Sequence, residues 1–328
     1  MKNIIEIQNL RAESCSKLSG FLRIGATPVR PVELPLTIIN GKNDGSLVVI
    51  TAGIHGTEYV GIATALDLIK SLNPANISGA LIIVPVVNIL GFEQRSKCTV
   101  PIEDDYNGTR NLGRLFPGRV DGTLPHILAH ILFNQIISKA NFLIDLHGGD
   151  IYEYIAPCTM VYTTDNKDLD QKMLDAAKFS GIEYCICRSF RGQEGKLSVE
   201  ALKIGIPSIT IESGDHGVID ESKVNLALNA VMNILRYLKV LDGEIKQYRP
   251  PKMLKDLVVV RARNGGLLRT LIPLGSTVSK SEKIGYIQGW SGEIVEYLEA
   301  PVSGYLIQWS CNPSVTSGES VAEIAIFY

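Results

Sequence analysis

Three potential metal ligands are spaced along the sequence in a pattern suited to a divalent ion. His55 and Glu58 lie three residues apart, between an apolar run and a helical pattern, and His147 follows a second apolar run. Two histidines and one glutamate bind zinc and leave a fourth position open for water. In isolation a His-x-x-Glu pair more commonly has a surface or helix-capping role. The metal interpretation therefore depends on whether the fold brings His147 to the other two residues.

A general base and a substrate anchor are also present. Glu212 ends the apolar stretch 207–211, and a carboxylate near zinc can take a proton from water and deliver it to a leaving amine. A helix cap or a surface ion pair is the alternative role for such a glutamate. Arg114 can bind a substrate carboxylate through two hydrogen bonds, or remain in solvent. Asp215 and His216 follow Glu212 closely and are further candidates for substrate contact.

The elements that must position these residues read as alternating strands and helices. Near-continuous apolar strands separated by helices are typical of a sheet covered on both faces. We therefore predict an α/β fold with a mixed, largely parallel sheet. If the strands before His55 and His147 are parallel neighbours, their carboxyl ends meet at one sheet edge. The predicted strands are 47–52, 80–87, 142–146, 159–163, 183–188 and 208–212, and the predicted helices are 58–72, 125–139, 169–180, 196–203 and 223–240.

The segment 88–123 is predicted as a long loop with little secondary structure. Loops of this length inside a compact domain are commonly functional, so we expect it to hold most of the substrate contacts. His126 and His130 follow it at a helical i, i+4 spacing. No acidic residue lies between them as a metalloprotease helix requires, so they are interpreted as helix-face residues without a ligand role.

A proline pair marks a change from mixed to β-rich patterns, and we predict a catalytic domain over 1–248 and a β-rich C-terminal domain over 249–328. Within the second, 273–287 and 312–324 resemble each other. Together they resemble the flattened barrel-sandwich of biotinyl and lipoyl carrier domains. The hairpin tip 288–292 has no lysine to carry a swinging arm, so we expect a structural or oligomer-forming region beside the active site.

Composition and charge exclude several classes of partner. The 328 residues carry a formal net charge of −2, which offers no electrostatic reason to bind nucleic acid or an anionic membrane. No secretory signal is evident, and the longest apolar run, 80–92, is too short to span a bilayer. Six scattered cysteines without a Cys-x-x-Cys pair favour reduced thiols. We expect a cytoplasmic protein that acts on a small molecule, and whether it forms a homo-oligomer stays open.

In chain order, these motifs resemble the succinylglutamate desuccinylase and aspartoacylase family of the zinc carboxypeptidase clan. The resemblance covers nearly the whole chain, including the β-rich C-terminal part. It implies a zinc-dependent amidohydrolase, with one zinc per chain, that cleaves an acetyl, succinyl or similar N-acyl group from an amino acid or related small amine. It implies His55, Glu58 and His147 as zinc ligands and Glu212 as the general base.

The resemblance also implies a substrate carboxylate site. The family motif Asp-Leu-Asn-Arg reads Asn111-Leu112-Gly113-Arg114 in this chain. Asn111 and Arg114 are therefore predicted to bind substrate. Gly113 replaces the family asparagine, so one expected hydrogen bond to the substrate is missing or comes from another group.

A further arginine in this family polarises the scissile carbonyl and stabilises the oxyanion. We predict Arg95 for this role, with Lys97 and Arg110 as rivals. Asn88, at the start of the loop, is a candidate for orienting the loop or the substrate.

The predicted reaction is the attack of metal-bound water, deprotonated by Glu212, on an amide carbonyl held against the metal and Arg95, while Arg114 anchors a carboxylate. Three alternatives remain open. A metallocarboxypeptidase would use the same site on peptides, and a non-catalytic metal- or ligand-binding protein would share the fold, an alternative that Gly113 keeps open. A metal-free interaction protein on the same scaffold is the third.

Overall fold

The protein is described by a computed structural model over residues 4–98, 111–246 and 249–328. The helices are α1 (Tyr59–Ser71), α2 (Ile89–Glu93), α3 (Leu124–Gln135), α4 (Lys167–Ser180), α5 (Leu197–Lys203) and α6 (Glu221–Tyr237). The strands are β1 (Ile5–Ile7), β2 (Leu10–Ala12), β3 (Ser16–Ala26), β4 (Pro31–Asn40), β5 (Asn43–Ala52), β6 (Ser78–Val84), β7 (Phe142–His147), β8 (Glu153–Ile155), β9 (Cys158–Thr163), β10 (Tyr184–Ser189), β11 (Ser208–Glu212), β12 (Lys252–Arg261), β13 (Gly266–Thr270), β14 (Thr277–Val278), β15 (Lys283–Gln288), β16 (Ile294–Glu299), β17 (Gly304–Ser310), β18 (Ser314–Val315) and β19 (Ser320–Phe327).

One large mixed sheet runs through the molecule in the order β14-β17-β19-β12-β10-β9-β11-β7-β5-β6-β4-β3, with β8 also paired to β17. Strands β11, β7, β5 and β6 are parallel neighbours, and β9, β10 and β12 form a second parallel group. The two groups meet where β9 and β11 pair antiparallel. The predicted mixed, largely parallel sheet is confirmed.

Helices cover both faces of this sheet because consecutive strand residues point to opposite sides. On β5, Val48 and Ile50 pack into a core with helices α1, α4 and α6. Val49, which lies between them, packs into the second core with helices α3 and α5. This alternation explains why the strands read as continuous apolar runs in the sequence.

The register of the central strands brings the candidate site residues to one edge of the sheet. Ala52 at the end of β5 pairs with Leu146 on β7, and His147 on β7 pairs with Glu212 on β11. The turn after β5 carries His55, so the three carboxyl ends meet as expected for parallel neighbours.

The β-rich part beyond residue 249 contributes to two sheets. Strand β12 joins the large sheet beside β10, and β19, β17 and β14 extend it. A separate sheet has the order β16-β15-β13-β18. The domain division after residue 248 stays a prediction, although described strands on both sides of it share one sheet.

The segment predicted as a loop contains more regular structure than the sequence indicated. Helix α2 and a 3-10 turn at Leu112–Arg114 lie in it, whereas residues 99–110 are outside the described part. Asn88 caps the N-terminus of α2 by accepting a hydrogen bond from the Gly91 N–H at 2.9 Å. A helix of five residues is too short to show a periodic pattern in the sequence, so this capping role was not predicted. Within the described residues, no helix is long and apolar enough to cross a membrane.

Candidate metal centre and active-site cavity

The turn between β5 and α1 carries two of the candidate ligands. Gly53 follows β5 with φ of +65°, a conformation that favours glycine. The chain then bends so that His55 Nδ1 lies 2.5 Å from Glu58 Oε1. Glu58 occupies the N-cap position of α1, but its carboxylate is directed at the imidazole rather than at the helix N–H groups.

His147 completes the group from the end of β7. Its Nδ1 lies 2.9 Å from Glu58 Oε2, and its ring centroid lies 5.2 Å from that of His55. One ligand atom from each of the three residues lies within 4.8 Å of the others. The Glu58 side chain is only 3% exposed, so the group is largely shielded from bulk water.

Neighbouring side chains hold the outer nitrogens of both imidazoles. His147 Nε2–H donates to Asp145 Oδ2 at 3.0 Å, and the Thr51 hydroxyl donates to Asp145 Oδ1 at 2.6 Å. His55 Nε2–H donates to Asn111 Oδ1 at 3.0 Å. These contacts fix the ring orientations and leave the Nδ1 atoms as the candidate ligand atoms, as in the usual arrangement around a metal-binding histidine.

Sequence reasoning did not assign roles to Asp145 and Thr51. A signal for Asp145 was present, because residues i and i+2 on a strand share one face and Asp145 lies two residues before His147. Thr51 pairs with Asp145 in the register of β5 and β7, and this neighbour relation required the sheet order.

The three side chains fit a divalent cation. In the described part of the chain, Glu58 Oε2 is buried and accepts no hydrogen bond of good geometry, even from His147 Nδ1 at 2.9 Å, and an unsatisfied buried carboxylate oxygen is costly. Burial alone would raise the pKa of Glu58, but the imidazoles of His55 and His147 lower it below its ordinary range. Burial likewise opposes charge on His147, yet Asp145 and Glu58 raise its pKa well above normal. The surroundings therefore favour positive charge between these donors.

A cavity of about 220 Å³, the catalytic cavity, opens beside the candidate ligands. Its wall includes His55, His147, Glu212, Lys97 and Arg114. Polar side chains thus converge at this edge of the sheet from β7, β11, the turn after β5 and the long loop.

Glu212 faces the catalytic cavity from the end of β11, beside His147. Burial raises the pKa of its carboxyl to about 7; Glu58 raises it further, while His147 opposes the shift. A carboxyl with this pKa can both accept and return a proton near neutral pH.

Arg95 and Lys97 occupy different environments. The Arg95 side chain is exposed and, among the described residues, is not part of the cavity wall, so the carbonyl-polarising role that we predicted for it stays a prediction. Lys97 lies in the wall, with Nζ 2.6 Å from Asp150 Oδ2 and 3.0 Å from Glu153 Oε1. Burial disfavours charge on Lys97, but Glu153 and Asp150 raise its pKa.

Asn88 is fully buried and belongs to the support of this loop. Its Nδ2 donates to the Lys97 carbonyl oxygen at 3.3 Å. It therefore orients the loop, one of the two roles that we considered. The remaining rival for the polarising cation, Arg110, is outside the described residues.

Arg114 reaches the cavity from the 3-10 turn Leu112–Arg114. Asn111 caps this turn by accepting a hydrogen bond from the Gly113 N–H at 2.8 Å, and it also lies in the cavity wall. A Cβ at Gly113 would lie 3.2 Å from His55 Nε2. The glycine that departs from the family motif thus sits directly against a candidate metal ligand.

The other candidates from the sequence lie elsewhere. Asp215 accepts a hydrogen bond from the Ile155 N–H and pairs with Lys223, while the His216 ring packs 4.7 Å from that of Tyr154. His126 hydrogen-bonds the Thr123 hydroxyl and His130 the Asn134 amide, each within the α3 region. Among the described residues, these four are not part of the catalytic cavity wall.

The sequence of this chain is similar to those of known proteins. Residues 44–238 match the succinylglutamate desuccinylase/aspartoacylase catalytic domain. An N-alpha-acetyl-L-2,4-diaminobutyric acid deacetylase from Halomonas elongata is 25% identical over 90% of this chain and 86% of its own.

Solved structures have the same fold. The product-bound ectoine utilization protein from Ruegeria pomeroyi superimposes with a TM-score of 0.86 at 24% identity, covering 94% of this chain and 95% of that one. A succinylglutamate desuccinylase/aspartoacylase from Rhodobacter sphaeroides gives 0.86 at 23% identity, covering 95% and 96%. Since the catalytic-domain match spans more than half of the chain, the protein belongs to the succinylglutamate desuccinylase/aspartoacylase family.

Proposed function

We propose that the protein is a zinc-dependent amidohydrolase that removes an N-acyl group from an amino acid or related small amine. The observation that carries this proposal is that His55 and His147, which group with the buried Glu58, line the same cavity as Glu212. Membership of the family and a relative named as an N-acetyl amino acid deacetylase support the choice of a deacylation reaction.

One zinc ion per chain would be held by His55, Glu58 and His147. Bound there, it would supply a Lewis acid that polarises a carbonyl oxygen and lowers the pKa of water. Asp145 and Asn111 position the two imidazoles for this task by holding their outer nitrogens.

Glu212 is proposed as the general base and acid. Its carboxylate accepts a proton from the attacking water and then donates it to the nitrogen of the leaving amine. The pKa of about 7 supports both steps, because neither protonation state is strongly favoured near neutral pH.

Lys97 replaces Arg95 as the proposed cation that stabilises negative charge on the carbonyl oxygen. Asp150 and Glu153 hold its ammonium group in place and keep it protonated. A cation fixed before the reaction needs no reorganisation when charge develops, which is the basis of this form of stabilisation.

Arg114 is proposed to bind the substrate carboxylate. It reaches the catalytic cavity without an ion-pair partner among the described residues, so its guanidinium is available for two parallel hydrogen bonds. Asn111, in the same turn, is proposed to contribute to binding through its position in the cavity wall.

The test is a substrate panel for the zinc-supplemented protein. N-acetyl and N-succinyl amino acids are compared with dipeptides that have free C-termini, and release of free amine is measured. We expect hydrolysis of the N-acyl amino acids and little release from dipeptides. Preferential hydrolysis of the dipeptides would instead identify a carboxypeptidase, and release from neither group would contradict the proposal.

A further inference from the structure

A buried carboxylate lies behind the wall of the catalytic cavity. Glu200, on α5, is only 9% exposed and, among the described residues, is not part of that wall. Its Oε1 accepts hydrogen bonds from the Gly195 N–H at 2.9 Å and from the Lys203 ammonium group at 2.8 Å. A carboxylate in such a place is costly unless it is paired and hydrogen-bonded. These two partners therefore account for its burial, and one of them is a backbone group in the segment before α5.

The backbone of Gly195 contacts the part of the chain that carries Arg114. Its carbonyl oxygen accepts a hydrogen bond from the Phe116 N–H at 3.0 Å. A Cβ on Gly195 would collide with the Arg114 carbonyl oxygen, so the two backbones lie in direct contact. One residue thus joins Glu200 on one side to the 3-10 turn Leu112–Arg114, here called the Arg114 turn, on the other.

The segment after Gly195 and the Arg114 turn face the same cavity. The first turn of α5 belongs to the wall of the catalytic cavity, as Arg114 does. Leu197, in that turn, packs in the same core as Phe116. Apolar packing has no direction, so it holds two segments together without fixing how one is shifted along the other. The hydrogen bonds through Gly195 supply contacts of defined distance and angle.

We propose that Glu200 is a positioning residue for Arg114. Its carboxylate fixes the backbone of Gly195, and that backbone sets the place of the Arg114 turn and of the guanidinium that anchors the substrate carboxylate. Groups that bind a substrate depend on surrounding residues that hold them in the productive geometry. This inference rests on the proposed function, because it takes Arg114 as the anchor. The effect of Glu200 then lies in substrate binding and not in the chemical step.

The kinetic test replaces the acceptor oxygen by an apolar group of similar length. Glu200→Met should raise KM for an N-acyl amino acid roughly tenfold, the scale of one hydrogen bond to a charged group. Its kcat should stay within a factor of about two, since only binding is lost. Glu200→Gln keeps an acceptor oxygen and should restore KM. A merely structural role would instead reduce the amount of active protein, so that kcat per chain falls while KM is unchanged, and this result would overturn the inference.

Two matched variants test the route through Gly195. Glu194 accepts a hydrogen bond from the Gly192 N–H at 3.2 Å in the same segment, but it is exposed and a Cβ on Gly192 would meet nothing within 4 Å. Lys203→Met removes the other partner of Glu200 and leaves the Gly195 hydrogen bond. Glu194→Met and Lys203→Met should therefore keep the wild-type KM. An increase in either that equals the increase in Glu200→Met would overturn the proposed route.

A double-mutant cycle tests whether Glu200 acts through Arg114. In an Arg114→Ala background, Glu200→Met should raise KM little further, because the anchor that it positions is gone. Independent effects would add, and additive losses would therefore overturn the inference. An N-acetyl amino acid amide, which has no carboxylate, gives the same comparison without a second variant, and its KM should be equal in wild type and Glu200→Met.

Hydrogen exchange measures the contact without turnover. The Gly195 and Phe116 N–H groups should exchange faster in Glu200→Met than in wild type, and at the wild-type rate in Lys203→Met and Glu194→Met. If the zinc-supplemented protein binds N-acyl amino acids but hydrolyses none, the proposed function alone fails, and a Kd raised roughly tenfold in Glu200→Met still supports the inference. Unchanged exchange of both groups, or an unchanged KM or Kd in Glu200→Met, would overturn it.

Discussion

The surroundings of Glu212 disfavour the charged form of its carboxyl group. This lowers the stability of the folded protein at neutral pH but suits a catalytic base. Burial beside Glu58 raises its pKa from 4.5 to about 7. At about 1.4 kcal/mol per pKa unit, the cost of ionising it in the folded protein is roughly 3 kcal/mol. Residues of this kind are common at active sites, where stability is given up for function.

The first prediction concerns Glu212→Gln in protein stripped of metal. Below pH about 4.5 the wild-type carboxyl is protonated in both states, so the variant and the wild type should be equally stable. Between pH 4.5 and 7 this carboxyl loses its proton in the unfolded chain but keeps it in the folded protein, so the free energy of unfolding of the wild type falls as pH rises. The decrease is complete above pH 7. Urea unfolding at pH 8 should therefore show the variant more stable by roughly 3 kcal/mol, while zinc-dependent turnover is lost.

The control for this prediction is the same unfolding experiment at pH 4, where no difference is expected. A variant that is less stable than wild type at pH 8 would contradict the assigned environment. Retained turnover would remove Glu212 as the base.

Lys97 and Arg95 form a matched pair of cations in one loop. Lys97→Met should lower kcat by about 10²–10³-fold, the usual effect of removing a group that stabilises the oxyanion. Arg95→Met should leave kcat within a factor of about two, since surface substitutions usually have small effects. Steady-state kinetics on one N-acyl amino acid compares the two, and the reverse order of effects would restore Arg95 to the polarising role.

Residue types and spacing were enough to select the candidate ligands, because His147 ends an apolar strand and His55 and Glu58 lie in the turn that follows another. They did not separate Arg95 from Lys97, since a shift of two residues in an irregular loop leaves no periodic signal. Our proposal of Lys97 rests on its contacts with Asp150 and Glu153, which arise only in the folded chain.

At the scale of elements, the turn that carries Arg114 is braced by the segment before α5. Gly195 has φ of +83°, and a Cβ there would lie 2.3 Å from the Arg114 carbonyl oxygen. The Phe116 N–H donates to the Gly195 carbonyl oxygen at 3.0 Å. The position of the proposed carboxylate anchor therefore depends on close backbone contact at this glycine.

Gly195→Ala should displace the Arg114 turn and raise KM for N-acyl amino acids about tenfold or more. Gly192→Ala is the control, because Gly192 also has a positive φ, +76°, but nothing lies within 4 Å of its Cβ position. Both variants should lose about 1–2 kcal/mol of stability from backbone strain, and Gly195→Ala should lose more because its Cβ clashes with the Arg114 carbonyl oxygen; thermal unfolding measures both. Equal KM values in the two variants would argue against the bracing contact.

At the scale of the whole molecule, the β-rich C-terminal part is built into the large sheet. Strand β12 pairs with β10 on one side and with β19 on the other. Leu254, Ile307 and Ala325 form a common core with Ile186 and Cys158 from the preceding part. Separate unfolding of the two parts would break both the sheet and this core.

We therefore expect a single cooperative unfolding transition for the full chain in differential scanning calorimetry. Zinc should raise the midpoint, because a ligand that binds only the folded state stabilises it. Two well-separated transitions would contradict this expectation and favour independent domains over 1–248 and 249–328.

The α/β class and the strand-and-helix order were predictable because buried parallel strands and amphipathic helices have distinct periodicities. The continuation of the sheet through β12 was not, since a proline pair reads as a boundary whether or not the next strand rejoins the sheet.

The central claim is that His55, Glu58 and His147 hold the metal ion on which amide hydrolysis depends. The most direct measurement is the rate of amine release from an N-acetyl amino acid as zinc is added to metal-stripped protein. We predict a rate that rises linearly to one zinc per chain and then stays constant in the wild type, and no zinc-dependent rate in His147→Ala. A rate that does not depend on zinc, or an unchanged titration in His147→Ala, would contradict the claim.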